Sequence, residues 1–390
     1  MILDDKIIDV LVDRLVRRIE QGNVYILEKI GESIKHIGTL SPSKAQQLIN
    51  VLKYGGNYDK ILKKLAQITE LNVKDIEKIF ESVAKENQYF AKQFYDYRNI
   101  KFIPYEQNIS LQNQVKAIAK ITMDRYVNMS NTLAFSELVN GKIVYTDLAK
   151  KYQEVIDEAV LNVSQGKTDF NSNMYKTIKD LGKSGIRTVD YASGYSKRLD
   201  SAVRMNLKGA LRDMSNELQK QFGEEFDYDG IEVSHHENSA PDHIDTIDGK
   251  QFSKEEFEKI NSELDRPVGQ LNCYHYIFPI ILGVSKPSYT KEQLENDKKK
   301  NLEGCVIDGK KYTLYEVTQL QRRLETEIRK NKDVQILAKA SGNKELVRES
   351  QQKITELTNK YREVSKISGL PTRLERARVI GYKRINVNKM

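Results

Sequence analysis

IIDVLVDRLVRRIEQGNVYILEKIGESIKHI, residues Ile7 to Ile37, repeats apolar side chains at Ile7, Val10, Leu11, Leu15, Val16 and Ile19, the spacing of one helix face. The run that follows, Thr39-Leu40-Ser41-Pro42-Ser43, offers a break and a fresh helix start. The chain therefore opens as a helical hairpin or bundle. Further helical patterns run over Tyr58 to Ile68, Val73 to Tyr97, Leu111 to Val139 and Thr146 to Val163. No proline occurs between Pro104 and Pro241, so most of residues 1–225 are expected to be helix. The interruption from Ile100 to Ser110, which holds Pro104, divides an N-terminal region of helical hairpins, 1–100, from a second helical region, 101–225.

Beyond Phe222-Gly223 the texture changes. Gly230, Gly249, Pro267, Gly269, Pro279, Gly283 and Pro287 punctuate short β-capable stretches such as IEVSHH and CYHYIFPII, which predicts a compact α+β module over 226–290. Residues 291–311, with Asp297-Lys298-Lys299-Lys300, read as an exposed connector. Val317, Leu320, Leu324 and Ile328 then line one face of a long charged helix, and a second pattern from Glu345 to Ser365 makes 312–371 an antiparallel helical arm. The end, 372–390, has six basic residues against one acidic and no helical seam, and reads as a basic tail. The expected fold class is mainly α with a small α+β module.

Composition narrows the function classes. At 390 residues the chain allows two or three packed units. With 39% hydrophobic and 30% charged residues it is too apolar for wholesale disorder and too charged for a membrane protein; its longest nearly apolar run, Tyr276 to Val284, falls short of a bilayer span. The opening MILDDKIID places two aspartates where a secretory signal carries positive charge, and two cysteines, Cys273 and Cys305, make no disulfide framework, so a reducing compartment is expected. Net charge is +8, but residues from Asp297 onward hold 23 Lys and Arg against 12 Asp and Glu, a net +11 that concentrates the basic excess in the last quarter.

Four of the five histidines, His235, His236, His243 and His275, share a 41-residue window with Cys273. Imidazole nitrogen and thiolate sulfur are zinc ligands, and His236, His243, Cys273 and His275 can supply a four-ligand structural zinc site, although the spacing matches no common zinc signature. Three other readings stay open on the residues alone. Cys273 can be a thiolate nucleophile activated by a histidine and oriented by Asn272 or an aspartate. His235, His236 and Asp242 can hold a metal for a hydrolase or nuclease. The cluster can instead be a buried polar network that pins short strands.

Three runs carry a resemblance: YASGYSKRLDSAVRMN (Tyr191 to Asn206), the pair VSHHENSAPDHIDTIDGKQF (Val233 to Phe252) and GQLNCYHYIFPIILGVS (Gly269 to Ser285), and YTLYEVTQLQRRLETEIRKNK (Tyr312 to Lys332). In this order they are similar to the phage minor capsid protein 2 family, related to the Mu F-type head morphogenesis proteins encoded beside the portal. Carried over position by position, the family's His-x6-His falls on His236 and His243, its Asp-Gly turn on Asp248 and Gly249, and its Asn-Cys-x-His on Asn272, Cys273 and His275. Ala240 stands where the family usually has arginine, and Thr246-Ile247 where it has a tryptophan-glutamine pair; both departures speak against catalysis more than against architecture. The first 150 residues share only helical texture.

In the first run, Ser193-Gly194 can turn the chain into a helix starting near Ser196, with Leu199, Val203 and Leu207 on its buried face. Arg204 beside that stripe either pairs with acidic groups of the α+β module or makes a surface salt bridge. In the third run, Tyr312, Tyr315, Gln319, Arg322 and Arg323 suit nucleic acid or an acidic protein surface, whereas Glu316, Glu325 and Glu327 suit a solvated charged helix. What the resemblance implies is a non-enzymatic virion component, associated with the portal inside the capsid after assembly in the host cytoplasm. Its partners would be portal, capsid or scaffold protein and double-stranded DNA held without sequence readout. Arg322, Arg323, Arg329, Arg373, Arg376, Arg378, Lys383 and Arg384 are the expected DNA contacts. The alternative is a metal-dependent hydrolase or nuclease carried in the particle.

Overall fold

A computed structural model describes residues 5–51, 55–165, 169–190, 195–269, 273 and 275–386. The N-terminal half is built from α1 (Asp5–Gly38), α2 (Pro42–Val51), α3 (Gly55–Arg98), α4 (Ile109–Asn131), α5 (Leu148–Ser164), α6 (Phe170–Ser184) and α7 (Leu199–Glu225), with strands β1 (Leu133–Val139), β2 (Lys142–Asp147), β3 (Arg187–Asp190) and β4 (Tyr195–Arg198). The module that follows contains β5 (Gly230–Val233), α8 (Pro241–Ile244), β6 (Gln251–Ser253), α9 (Lys254–Glu263) and β7 (Ile277–Ile280). The chain then continues through α10 (Lys291–Glu303), β8 (Cys305–Ile307), β9 (Lys310–Tyr312), α11 (Leu314–Ser341) and α12 (Lys344–Ser368). The protein is mainly α with small antiparallel sheets, and no helix among the described residues is long and apolar enough to cross a membrane.

The long helices begin and stop where local chemistry says they should. Thr313 and Glu316 close a capping box that starts α11, and Gly342 ends it in the left-handed conformation at φ +81°. Asn343 then accepts from Leu346 N to start α12, so the two helices form a hairpin. The two helical patterns expected over Tyr58–Ile68 and Val73–Tyr97 join into the single α3. Asn72 sits buried at the junction, donating to Leu15 O at 3.4 Å and to Tyr126 Oη at 2.9 Å. Pro104 interrupts the helices as its sequence predicts, with one 3-10 turn at Tyr105–Gln107.

Three local expectations are corrected. The helical pattern over Leu111–Val139 stops at Asn131, and Leu133–Val139 is a strand: Asn140 (φ +49°) and Gly141 (φ +77°) make the two-residue turn that pairs β1 with β2, Val139 opposite Lys142. The helix expected near Ser196 starts at Leu199, because Tyr195–Arg198 pairs with β3 as β4. The turn assigned to Ser193-Gly194 lies outside the described residues. Within 291–311, Lys291–Glu303 is the helix α10, N-capped by Thr290, and β8 and β9 form a hairpin.

One apolar cluster links the two halves of the chain. It runs from Ile8 in α1 through Phe80, Tyr126, Val203 and Phe226 to Ile231 and Phe278 of the β6-β5-β7 sheet, and on to Val334 and Leu337 of α11. The helical arm is docked on this core. A Cβ placed on Gly182 of α6 would sit 2.6 Å from Val334 Cα, so only glycine lets α6 approach α11 so closely. Gly31 of α1 plays the same part against Ala340. The basic end also folds back. Lys332 Nζ donates to Ala377 O at 2.6 Å, Tyr382 Oη donates to Gln351 Oε1 at 3.0 Å, and Ile385 N donates to the same oxygen at 2.9 Å.

Candidate metal centre

The β6-β5-β7 sheet sets the frame of the module. β5 pairs antiparallel with β6 on one side and with β7 on the other, Val233 facing Ile277. That register places His235 and His236, just past β5, beside Cys273 and His275, just before β7. The turn of α8, begun by Pro241, brings in His243 from the third side. The pair Cys273 and His275 lies ahead of β7 rather than within a strand, yet both side chains enter the same buried point.

Among the described residues, His243, Cys273 and His275 bring one potential ligand atom each within 4.8 Å of the others. Cys273 Sγ lies 3.3 Å from His275 Nδ1 and 3.7 Å from His243 Nδ1, and the two Nδ1 atoms are 3.2 Å apart. All three residues are buried, at 5%, 3% and 2% exposure for Cys273, His275 and His243. The opposite edge of each imidazole is engaged. His243 Nε2 donates to the Arg266 carbonyl at 2.7 Å, and His275 Nε2 donates to Asp248 Oδ1 at 2.8 Å with Ser239 Oγ 3.1 Å away.

Asp248 organises the surrounding shell. It also accepts from His235 Nδ1 at 2.7 Å and from the His236 backbone amide at 2.9 Å. Burial opposes the anion, but the hydrogen bonds from His235 and His275 hold its carboxyl well below the ordinary carboxylate range. The same balance works on the ring and thiol. Burial disfavours charge on His275, yet Asp248 and Cys273 raise it to about 9; burial likewise opposes the Cys273 thiolate, and the two histidines still bring it down to about 5.

The expected four-ligand set is thus reduced to three. His236 stacks edge-on against His275, ring centroids 4.7 Å apart, and is not one of the converging ligand atoms. His235, His236 and Asp242, the trio considered for a hydrolytic metal, do not converge: both nitrogens of His235 are engaged, by Asp248 and by Asp297 at 3.1 Å, and the Asp242 carboxylate is paired with Arg266. Asn272, the orienter considered for a nucleophilic Cys273, lies outside the described residues. Gly249 takes φ +70° with the Leu294 side chain against it, so the Asp-Gly turn also receives α10.

Arg204 reaches α1 instead of the α+β module, donating to Asp13 Oδ1 at 2.9 Å, and is about one-third exposed. Of the residues expected at DNA, Arg323, Arg373, Arg378, Lys383 and Arg384 are exposed, whereas Arg322 and Arg376 are half-buried. Arg329 is corrected from a surface contact to an interior one: its guanidinium is paired with the buried Asp200.

Sequence reasoning passed over several parts of the shell. Asp297, within a lysine-rich run, carries the second acceptor of His235. Asn301 of α10 donates to Ser239 O and accepts from Tyr315 N, which ties the module to α11. The Arg266 carbonyl has no side-chain signal at all. Asn301 and Asp297 share one helix face at i and i+4, the one pattern that could have marked α10 as part of the site.

Comparison with known proteins matches the chain to one family, described as phage minor capsid protein 2, over residues 3–364. The match takes in the first 150 residues, where only helical texture had been legible. No curated protein and no solved structure matches the chain.

Proposed function

The chain belongs to the phage minor capsid protein 2 family, and from that premise we propose that it is a structural component of the phage head, held at the portal inside the capsid, with its basic C-terminal face against the packaged genome. The near full-length family match carries the reading. Charge supports the DNA part: Arg373, Arg378, Lys383 and Arg384 are exposed on a segment laid along α11 and α12, so their charges are held on a folded surface. Phosphate neutralisation by such cations releases condensed counterions and needs no sequence readout. Portal or scaffold would dock on the helical N-terminal half, while the α+β module serves as a rigid knob. Cys273, His243 and His275 are buried, which favours architecture over the hydrolase alternative.

Two experiments test the proposal. Mass spectrometry and cross-linking of purified particles should find this chain in the head with links to the portal protein; its absence from particles would overturn the reading. Retention of the purified chain on duplex DNA should fall at least twofold from low to moderate salt, and further when Arg373, Arg378, Lys383 and Arg384 are changed to glutamine. Salt-insensitive retention would remove the genome contact and leave the capsid role standing.

A further inference from the structure

We propose that Cys273, His243 and His275 bind one zinc ion, a metal staple that joins the strand β7 side of the module to α8. A tetrahedral zinc with bonds of about 2.0–2.1 Å to nitrogen and about 2.3 Å to sulfur separates its ligand atoms by roughly 3.3–3.6 Å. The observed triangle of 3.2, 3.3 and 3.7 Å has the dimensions of one face of that tetrahedron. Three side chains from two separate stretches of chain meet this condition at once.

The outer contacts make the same point independently. A carbonyl oxygen accepts and cannot donate, so the 2.7 Å contact with Arg266 O puts a proton on His243 Nε2 and leaves a lone pair on Nδ1 of the neutral ring. The Asp248 carboxylate likewise takes the proton on His275 Nε2, so once this ring gives up its second proton its Nδ1 carries the other lone pair. Both lone pairs then point at one another across 3.2 Å, an arrangement that repels unless a cation lies between them. A carboxylate or carbonyl on the far nitrogen of each imidazole is the arrangement that orients histidine ligands around a metal. The His275 backbone amide, 3.4 Å from Cys273 Sγ, adds a donor to the sulfur. One thiolate and two imidazoles suit zinc among the available divalent ions, and the fourth position is left for water or a further protein donor. The rival cation is a proton, shared as a thiolate–imidazolium pair between Cys273 and His275.

Elemental analysis of the purified full-length chain should find about one zinc per chain, and cobalt(II) replacing it should give a thiolate-to-cobalt charge-transfer band with the intense visible bands of a tetrahedral site. Cys305→Ser should keep both signals, while Cys273→Ser abolishes the charge-transfer band and His243→Ala lowers affinity at least 100-fold. Asp248→Asn, which alters only the outer contact, should lower affinity roughly 10–100-fold. A chain that is isolated without zinc and gives no cobalt band at stoichiometric cobalt would overturn the proposal in favour of the shared proton. So would a band that survives Cys273→Ser and disappears in Cys305→Ser. If Cys273→Ser does not fold, the wild-type and Cys305→Ser chains decide the matter by the same two readouts.

Discussion

Two of the polar clusters buried among the described residues are built on different principles. In the module, Asp248 accepts from two imidazoles and a backbone amide, all drawn from one segment of 41 residues, and only Asp297 of α10 joins the cluster from outside it. At the junction of α7 and α11, full charges meet: Arg198 Nη2 donates to Asp333 Oδ2 at 2.5 Å, Arg198 Nε lies 3.5 Å from Asp200, and Arg329 pairs with Asp200. Burial disfavours the Arg198 cation, but the carboxylates of Asp333 and Asp200 outweigh it and keep the guanidinium charged. This second cluster is less complete, since Arg198 Nε and Nη1, Arg329 Nε and Asp333 Oδ1 have no hydrogen-bond partner. The module thus uses local, matched groups to hold short strands, whereas the charge cluster clamps the C-terminal hairpin to the N-terminal helices at the expense of desolvation.

The comparison can be broken most sharply at Asp333. Asp333→Ala leaves Arg198 buried without its main partner and should lower unfolding free energy by about 3–5 kcal/mol, whereas the double change Arg198→Met, Asp333→Leu should recover most of that loss. Denaturant unfolding of both variants checks it, and a single-variant loss under about 1 kcal/mol would show that the clamp is not a buried pair in the sense drawn here. Removing the hub of the other cluster by Asp248→Ala strands three donors and should cost about 2–3 kcal/mol in the same measurement.

Smaller effects separate the two clusters. Gly182→Ala forces a methyl into the Val334 backbone, next to Asp333 of the clamp, and should cost about 1–2 kcal/mol while leaving the zinc binding proposed above unchanged. Loss of metal in this variant would mean that the two clusters are coupled. The smallest effect concerns Glu20, at the edge of the clamp. Burial, reinforced by Asp200, pushes its carboxyl up from 4.5 to about 7. The folded state therefore holds this proton more tightly than the unfolded chain, and the stability it contributes below pH 4.5 is lost as pH rises through about 7. Glu20→Gln should then be more stable than the native chain by about 1 kcal/mol at pH 8, with the difference vanishing near pH 4; thermal melts at the two pH values check it, and a constant difference would place the titration elsewhere.

Legibility followed sequence distance. The His/Cys cluster could be found because its members crowd into one window. The hairpin at Asn140-Gly141 was legible in principle, yet the helical spacing of the preceding apolar residues masked it. Arg198 and Asp333, 135 positions apart, carry no mark that pairs them, and Arg329 looked like any arginine on a charged helix.

By itself the sequence determined the mainly helical class, most of the long helices and which side chains have the lone pairs to bind zinc, since these depend on propensity and composition within a few turns of chain. Only the tertiary structure decided that three potential ligands converge and His236 does not, that the Arg266 carbonyl orients His243, and that the basic end lies folded on α11. Those outcomes depend on distances between groups remote in sequence, where burial strengthens each polar contact and makes each missing one costly.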